Sequence, residues 1–143
     1  MIENIKIHIS TSDNYHHCLQ PFAYLFNKFW SSDREVNFIG YKKPNFKLPS
    51  NFNFISLGVQ RGPKYYAEDL RTFFETIDES HFIYTMEDQF ILDYVDLNMM
   101  NDLTKHLKND KVGRICLTNS IFQKTHEGKR YQNFDRNIIE LTQ

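Results

Sequence analysis

The sequence predicts an α/β protein: a three-layer sandwich in which an open, mostly parallel β-sheet carries helices on its faces. Two observations predict it. Short β-rich apolar runs alternate along the chain with stretches of helical periodicity, and clusters of turn-forming polar residues follow those runs, where loops would leave a sheet edge.

The first strand is read at residues 5–9, where Ile5, Ile7 and Ile9 alternate with Lys6 and His8 before the polar run Ser10-Thr11-Ser12-Asp13-Asn14. Cys18, Phe22, Leu25, Phe26 and Phe29 then fall on one helical stripe, with Pro21 tolerated in the first turn because its missing amide would have no partner there. Ser31-Ser32-Asp33 ends that helix. A second strand is expected around Val36, Phe38 and Ile39, a loop with Pro44 and Pro49 next, and a third strand at Phe52, Phe54, Ile55 and Leu57.

After Gly58 comes Gln60-Arg61-Gly62-Pro63-Lys64 and a helix whose Tyr66, Leu70, Phe73, Phe74 and Ile77 mark one buried face. Residues 81–86 are almost wholly apolar, which predicts a central strand covered on both faces and ending in Glu87-Asp88-Gln89. A further helix carries Leu97, Met100, Leu103 and Leu107, and residues 113–117 are read as one more strand of the same sheet. The pattern decays over 119–143, a polar tail with a short helix expected at 134–141. A single domain over 1–143 is expected, since the length suits one core.

Composition excludes several classes. With 41% apolar and 24% charged residues the chain has enough buryable surface to fold, which argues against disorder. Seventeen basic against eighteen acidic side chains, with no basic concentration, argue against a nucleic-acid partner. The apolar runs are far shorter than the roughly 18–20 residues of a membrane span, so no transmembrane segment is expected. The start, Met-Ile-Glu-Asn-Ile-Lys-Ile, lacks the pattern of a signal peptide, and the expectation is a cytoplasmic protein. Cys18 and Cys116 fit no CxxC or disulfide framework and are read as buried thiols. His8, His16 and His17 lack the companions of a tetrahedral zinc set, and the basic residues Lys124, Lys129 and Arg130 are read as a solvated tail.

Ligands of open α/β sheets bind outside the carboxyl ends of the strands. Three loops reach that edge: Thr11 to Asn14, Gln60 to Lys64, and Glu87 to Gln89. They combine acceptors, cations beside a helix start, and adjacent carboxylates, a mixture suited to a nucleotide diphosphate with a divalent cation. Neither a Walker sequence nor GxGxxG is present.

The succession of amphipathic helix, apolar strand, the acidic pair in Thr85-Met86-Glu87-Asp88-Gln89-Phe90, Asp96, a helix and Gly113-Arg114-Ile115-Cys116-Leu117 resembles the nucleotide-binding half of glycosyltransferase A-type enzymes, the nucleotide-diphospho-sugar transferases. Ser12-Asp13-Asn14-Tyr15 before a helix agrees, and the likeness covers about residues 4–118. The resemblance implies binding of a nucleotide-activated sugar and its transfer to a glycan or lipid-linked acceptor, in surface polysaccharide or glycan synthesis. It implies Glu87 and Asp88 as the acidic motif, Thr11 and Asp13 on the first loop, Arg61 and Lys64 near the nucleotide or diphosphate, and Mn or Mg held by Asp88 and Gln89. Gln89 stands where family members commonly carry a carboxylate. The family builds its acceptor site and, in inverting members, its general base beyond this half, so no catalytic base is named. The competing expectation is a non-catalytic module that keeps the fold and binds without turnover.

Overall fold

A computed structural model describes residues 2–109, 112–115 and 117, together with the backbone of 131–135 and 138–141. The chain divides into two compact units, residues 3–95 and residues 1–2 with 96–143.

In the first unit β1 (Lys6–Ser10), β2 (Val36–Gly40), β3 (Phe52–Ser56) and β4 (Phe82–Met86) form an all-parallel sheet in the order β3-β2-β1-β4. Ile7 lies in register with Val36 and Ile83, and Ile9 with Phe38 and Thr85. Since side chains alternate along a strand, these residues share one face. Against that face packs α1 (Leu19–Phe29) through Leu19, Phe22, Ala23 and Phe26, all buried together with Ile7, Ile9, Val36, Phe38 and Phe52. Aromatic edges and faces fill the layer: Phe22 meets Phe38 edge-on at 5.9 Å, and Phe38 stacks on Phe52 at 5.1 Å.

The opposite face presents His8 and Ser10 of β1 with Phe82, Tyr84 and Met86 of β4. It is covered by α2 (Tyr66–Thr76), whose Phe73 and Phe74 rings meet the His8 ring edge-on at 5.5 and 6.1 Å while Phe74 stacks on Phe82 at 4.5 Å. Helices thus cover both faces of the sheet. The connection from β2 to β3 has no helix. Instead Phe46 and Leu48 of this loop pack on the core of the α1 face.

One expectation is corrected here. Among the described residues the apolar run at 82–86 forms an edge strand paired with β1 alone, and its alternate residues Phe82, Tyr84 and Met86 remain partly open to solvent. An unbroken apolar run is compatible with burial on two faces, but strand order, which local sequence does not encode, put this one at the margin.

In the second unit, α3 (Leu97–Thr104) begins at Asp96, whose carboxylate accepts the Asn98 and Met99 amides at 2.9 and 3.0 Å. The backbone amide of Ile2 donates to Asn101 Oδ1 at 2.9 Å. Leu103 and Val112 are buried with Leu107 and Ile115 around them. β5 (Arg114–Ile115) and β6 (Tyr131–Asp135) each pair antiparallel with β7 (Ile138–Leu141). Two expectations fail here. The strand at 113–117 belongs to this separate antiparallel sheet rather than the parallel one, and the described residues of 134–141 are strand, not helix. The paired β-branched Ile138 and Ile139 favour a pleated strand once a partner is present. Cys116 and the cluster of Lys124, Lys129 and Arg130 lie outside the described residues.

Candidate functional site at the carboxyl rim of the parallel sheet

The chain leaves β1 toward β2 on one side and returns beside β1 on the other as β4, so the loops after β1 and β4 diverge at the point where the strand order reverses. That crevice is where ligands of doubly wound sheets sit. Ser10 ends β1 and its carbonyl accepts the Glu87 amide at 3.2 Å, which ties the two loops together. Thr11 is fully buried, and its amide donates to the Ile39 carbonyl at 2.8 Å.

Only glycine allows that approach. A Cβ on Gly40 would come within 2.8 Å of the Thr11 methyl carbon, 3.0 Å of Phe54 Cζ and 3.2 Å of the Thr11 carbonyl oxygen. Gly40 at the end of β2 therefore sets how close the first loop lies to the sheet.

The two acids of the motif have different environments. Glu87 is only 6% exposed, which is unusual for a carboxylate, while Asp88 is exposed. Burial pushes the Glu87 carboxyl up, with the neighbouring Asp88 charge acting in the same direction. The backbone amides of Glu87 and Ser12 and the Thr11 hydroxyl oppose the shift by hydrogen bonding, and burial prevails. Glu87 thus points into the Thr11–Ser12 loop, and Asp88 stands free at the rim. Beyond them a tight turn returns the Gln89 amide to the Met86 carbonyl at 3.1 Å.

Asp13 opens a 3-10 turn, Asp13–Cys18, and its Oδ1 accepts the Lys42 backbone amide at 3.0 Å, joining the loops after β1 and β2. The same oxygen lies 3.7 Å from His16 Nε2, too far for a hydrogen bond. Asp13, His16, Lys42, Lys43 and Asn45 line an open cleft of about 300 Å³. Cys18 is half-buried and free. Burial, followed by the charges of Glu87 and Asp88, pushes its thiol up, so it is held protonated close to the acidic pair.

Arg61 and Lys64 stand at the entrance to α2 and are engaged there. Arg61 donates to Asp69, lies 3.7 Å from Glu68 and covers the Tyr65 ring at 4.6 Å. The hydrogen bond from Arg61 holds the Asp69 carboxyl below its ordinary range, and Asp69 also accepts the Tyr41 hydroxyl at 2.9 Å. Burial and then Asp69 push Tyr41 up to about 12. Lys64 Nζ sits over the Tyr65 ring at 4.8 Å. Among the described residues no hydrogen bond or ion pair joins Arg61 or Lys64 to Asp13, Glu87 or Asp88.

The Gln89 amide oxygen accepts the Thr85 hydroxyl, and among the described residues no three His, Cys, Asp or Glu side chains converge to hold a metal.

The reading of residues alone overlooked Lys42, Lys43 and Asn45. The signal for them was present, because a Lys-Lys pair directly after an apolar strand lies at the carboxyl edge of a parallel sheet by construction. Comparison with protein-family models, with curated proteins and with solved structures finds no match to this chain. The fold and rim therefore define the class by themselves: an α/β domain with a parallel sheet and a polar carboxyl edge. No helix among the described residues is long and apolar enough to cross a membrane.

Proposed function

We propose that the chain binds a nucleotide-activated sugar in the manner of the nucleotide-binding half of a glycosyltransferase A-type enzyme. The sugar would pass to a glycan or lipid-linked acceptor in surface polysaccharide or glycan synthesis. In this reading the sheet with α1 and α2 on opposite faces is the three-layer arrangement of that family. The observation that carries it is Glu87: a buried carboxyl at the strand-order reversal, aimed at the Thr11–Ser12 loop instead of at water.

A carboxyl in that position suits the paired hydroxyls of a ribose, which it can accept through two oxygens while burial strengthens each bond. Thr11 and Asp13 border the same crevice and complete the nucleoside's surroundings, with exposed Asp88 beside it. Transfer in this chemistry is electrostatic, as charge developing on the departing diphosphate is stabilised by nearby cations during attack by an acceptor hydroxyl.

Calorimetric titration with UDP and GDP, with and without Mn, tests the reading. Binding of at least one nucleoside diphosphate is expected, weakened about 10- to 100-fold in Glu87→Gln, as befits a hydrogen bond to a charged group. Absence of binding to either nucleotide overturns it. A second reading, binding without turnover, is favoured by Gln89, whose amide oxygen is turned onto Thr85. Release of free sugar from UDP- or GDP-sugars by the protein alone would decide for the transferase, and binding without release would decide for the module.

A further inference from the structure

Of the two cations that the resemblance places near the nucleotide or diphosphate, Arg61 is balanced by Asp69 and Glu68, and Lys64 lies over the Tyr65 ring. We infer that the cleft between the loops after β1 and β2, lined by Asp13, His16, Lys42, Lys43 and Asn45, is the subsite for the diphosphate of that nucleotide. The inference rests on the nucleotide-sugar reading and gives its charged end a place.

Three observations carry it. Lys42 and Lys43 are exposed, both line the cleft, and among the described residues neither forms an ion pair. Two lysines against the single carboxylate of Asp13 give the cleft's lining a net positive charge, which raises the local concentration of anions. His16 supplies the second observation. Its Nε2 is shielded from solvent and has no hydrogen-bond partner among the described residues, and the residue lines the same cleft. A buried ring nitrogen left unpaired is unfavourable, a penalty relieved when an acceptor oxygen reaches it.

The third is the role of Asp13. Its carboxylate would repel an anion if it projected freely, but its Oδ1 is held by the Lys42 amide and faces the imidazole. It therefore fixes the turn that carries the lysines, and the two ammonium groups outnumber its single charge. Asn45 adds neutral donors. The cleft's volume of about 300 Å³ sits at the lower end of small-ligand pockets, which suits a diphosphate group better than a whole nucleotide sugar. The nucleoside would then extend from this cleft past Thr11 toward Glu87, along the same edge.

The test titrates the full chain with UDP and, separately, with inorganic pyrophosphate. The variants are Lys42→Gln/Lys43→Gln and, as a control with the same change of charge on exposed helix positions, Lys28→Gln/Arg71→Gln. Thermal melting confirms that both fold, as expected for surface substitutions. The expected result is that pyrophosphate binding is lost and UDP binding falls 10-fold or more in the Lys42/Lys43 variant, with the control within 3-fold of the parent. UDP bound equally well by parent and Lys42/Lys43 variant overturns the inference and leaves the nucleotide reading standing. Lysine-dependent binding of pyrophosphate without any binding of UDP or GDP supports a diphosphate site and overturns the nucleotide reading. Failure to bind pyrophosphate, UDP or GDP overturns both.

Discussion

The two faces of the parallel sheet are built from different chemistry. Under α1 lies an apolar layer of Ile7, Ile9, Phe22, Phe26, Val36 and Phe38, none more than 2% exposed. Under α2 the same strand β1 presents His8 and Ser10, both buried. The Ser10 hydroxyl lies 2.7 Å from that of Tyr84, and burial pushes the ionisation of the neighbouring Tyr66 up. Both nitrogens of His8 are without hydrogen-bond partners among Phe73, Phe74 and Phe82. One face therefore contributes stability, and the other gives up some of it to place polar groups beneath the Glu87 rim.

The largest effect should come from breaking the apolar face. Phe38→Ala removes a fully buried ring that touches Phe22 and Phe52, and a loss of about 3–5 kcal/mol is expected in denaturant unfolding. Adding a methyl at the rim of that same face should have the next largest effect. Gly40→Ala collides with Thr11 and Phe54, so unfolding should register a loss of about 1–3 kcal/mol together with weaker nucleotide binding, because Thr11 is displaced from Glu87.

His8, on the other face, should respond with the opposite sign. His8→Leu replaces two orphaned ring nitrogens by carbon and is expected to raise stability by about 1 kcal/mol at pH 7. Burial lowers the ionisation of His8, with Glu79 opposing and Lys6 assisting. The unfolded chain therefore takes up the proton first. The stability that neutral His8 allows is present above the unfolded value near 6.5 and is lost as pH falls toward the folded one. Unfolding measured between pH 7 and 5 should show the parent losing stability relative to His8→Leu by up to about 1.4 kcal/mol per pH unit. A parallel pH dependence in the two proteins would show that His8 is not the buried neutral group described. The smallest effect is expected of Tyr84→Phe, which removes one hydroxyl of the Ser10 network, at about 1 kcal/mol or less in the same assay.

What could be read from the residues follows the same division. The stripes Phe22, Phe26, Phe29 and Leu70, Phe73, Phe74 report helices because burial of one face imposes a period of 3.6, and Ile7 and Ile9 report a strand because a pleat imposes a period of two. The placement of Thr11, Asp13 and Glu87 at one sheet edge was legible for a related reason, since parallel strands joined by crossovers send all their following loops to one end. Arg61 reads in sequence as a free cation beside a helix start, and nothing local announces that Glu68 and Asp69 in the first turn of α2 balance it. Residues 134–141 read as a helix because a short mixed segment has no decisive period, and it is the antiparallel pairing of β7 with β6 and with β5 that makes its described residues strand.

By itself, then, the sequence determined where strands and helices of residues 3–95 lie and which loops meet at the carboxyl rim, because local periodicity and the parallel crossover rule act over short stretches of chain. Tertiary structure alone decided the rest. It put β4 at the edge, separated buried Glu87 from exposed Asp88, and turned Gln89 onto Thr85 and Arg61 onto Asp69. It also gathered His16 with Lys42 and Lys43 around one cleft. Those outcomes depend on burial and on the charges brought near each group, and both are properties of the assembled fold that no run of neighbouring residues contains.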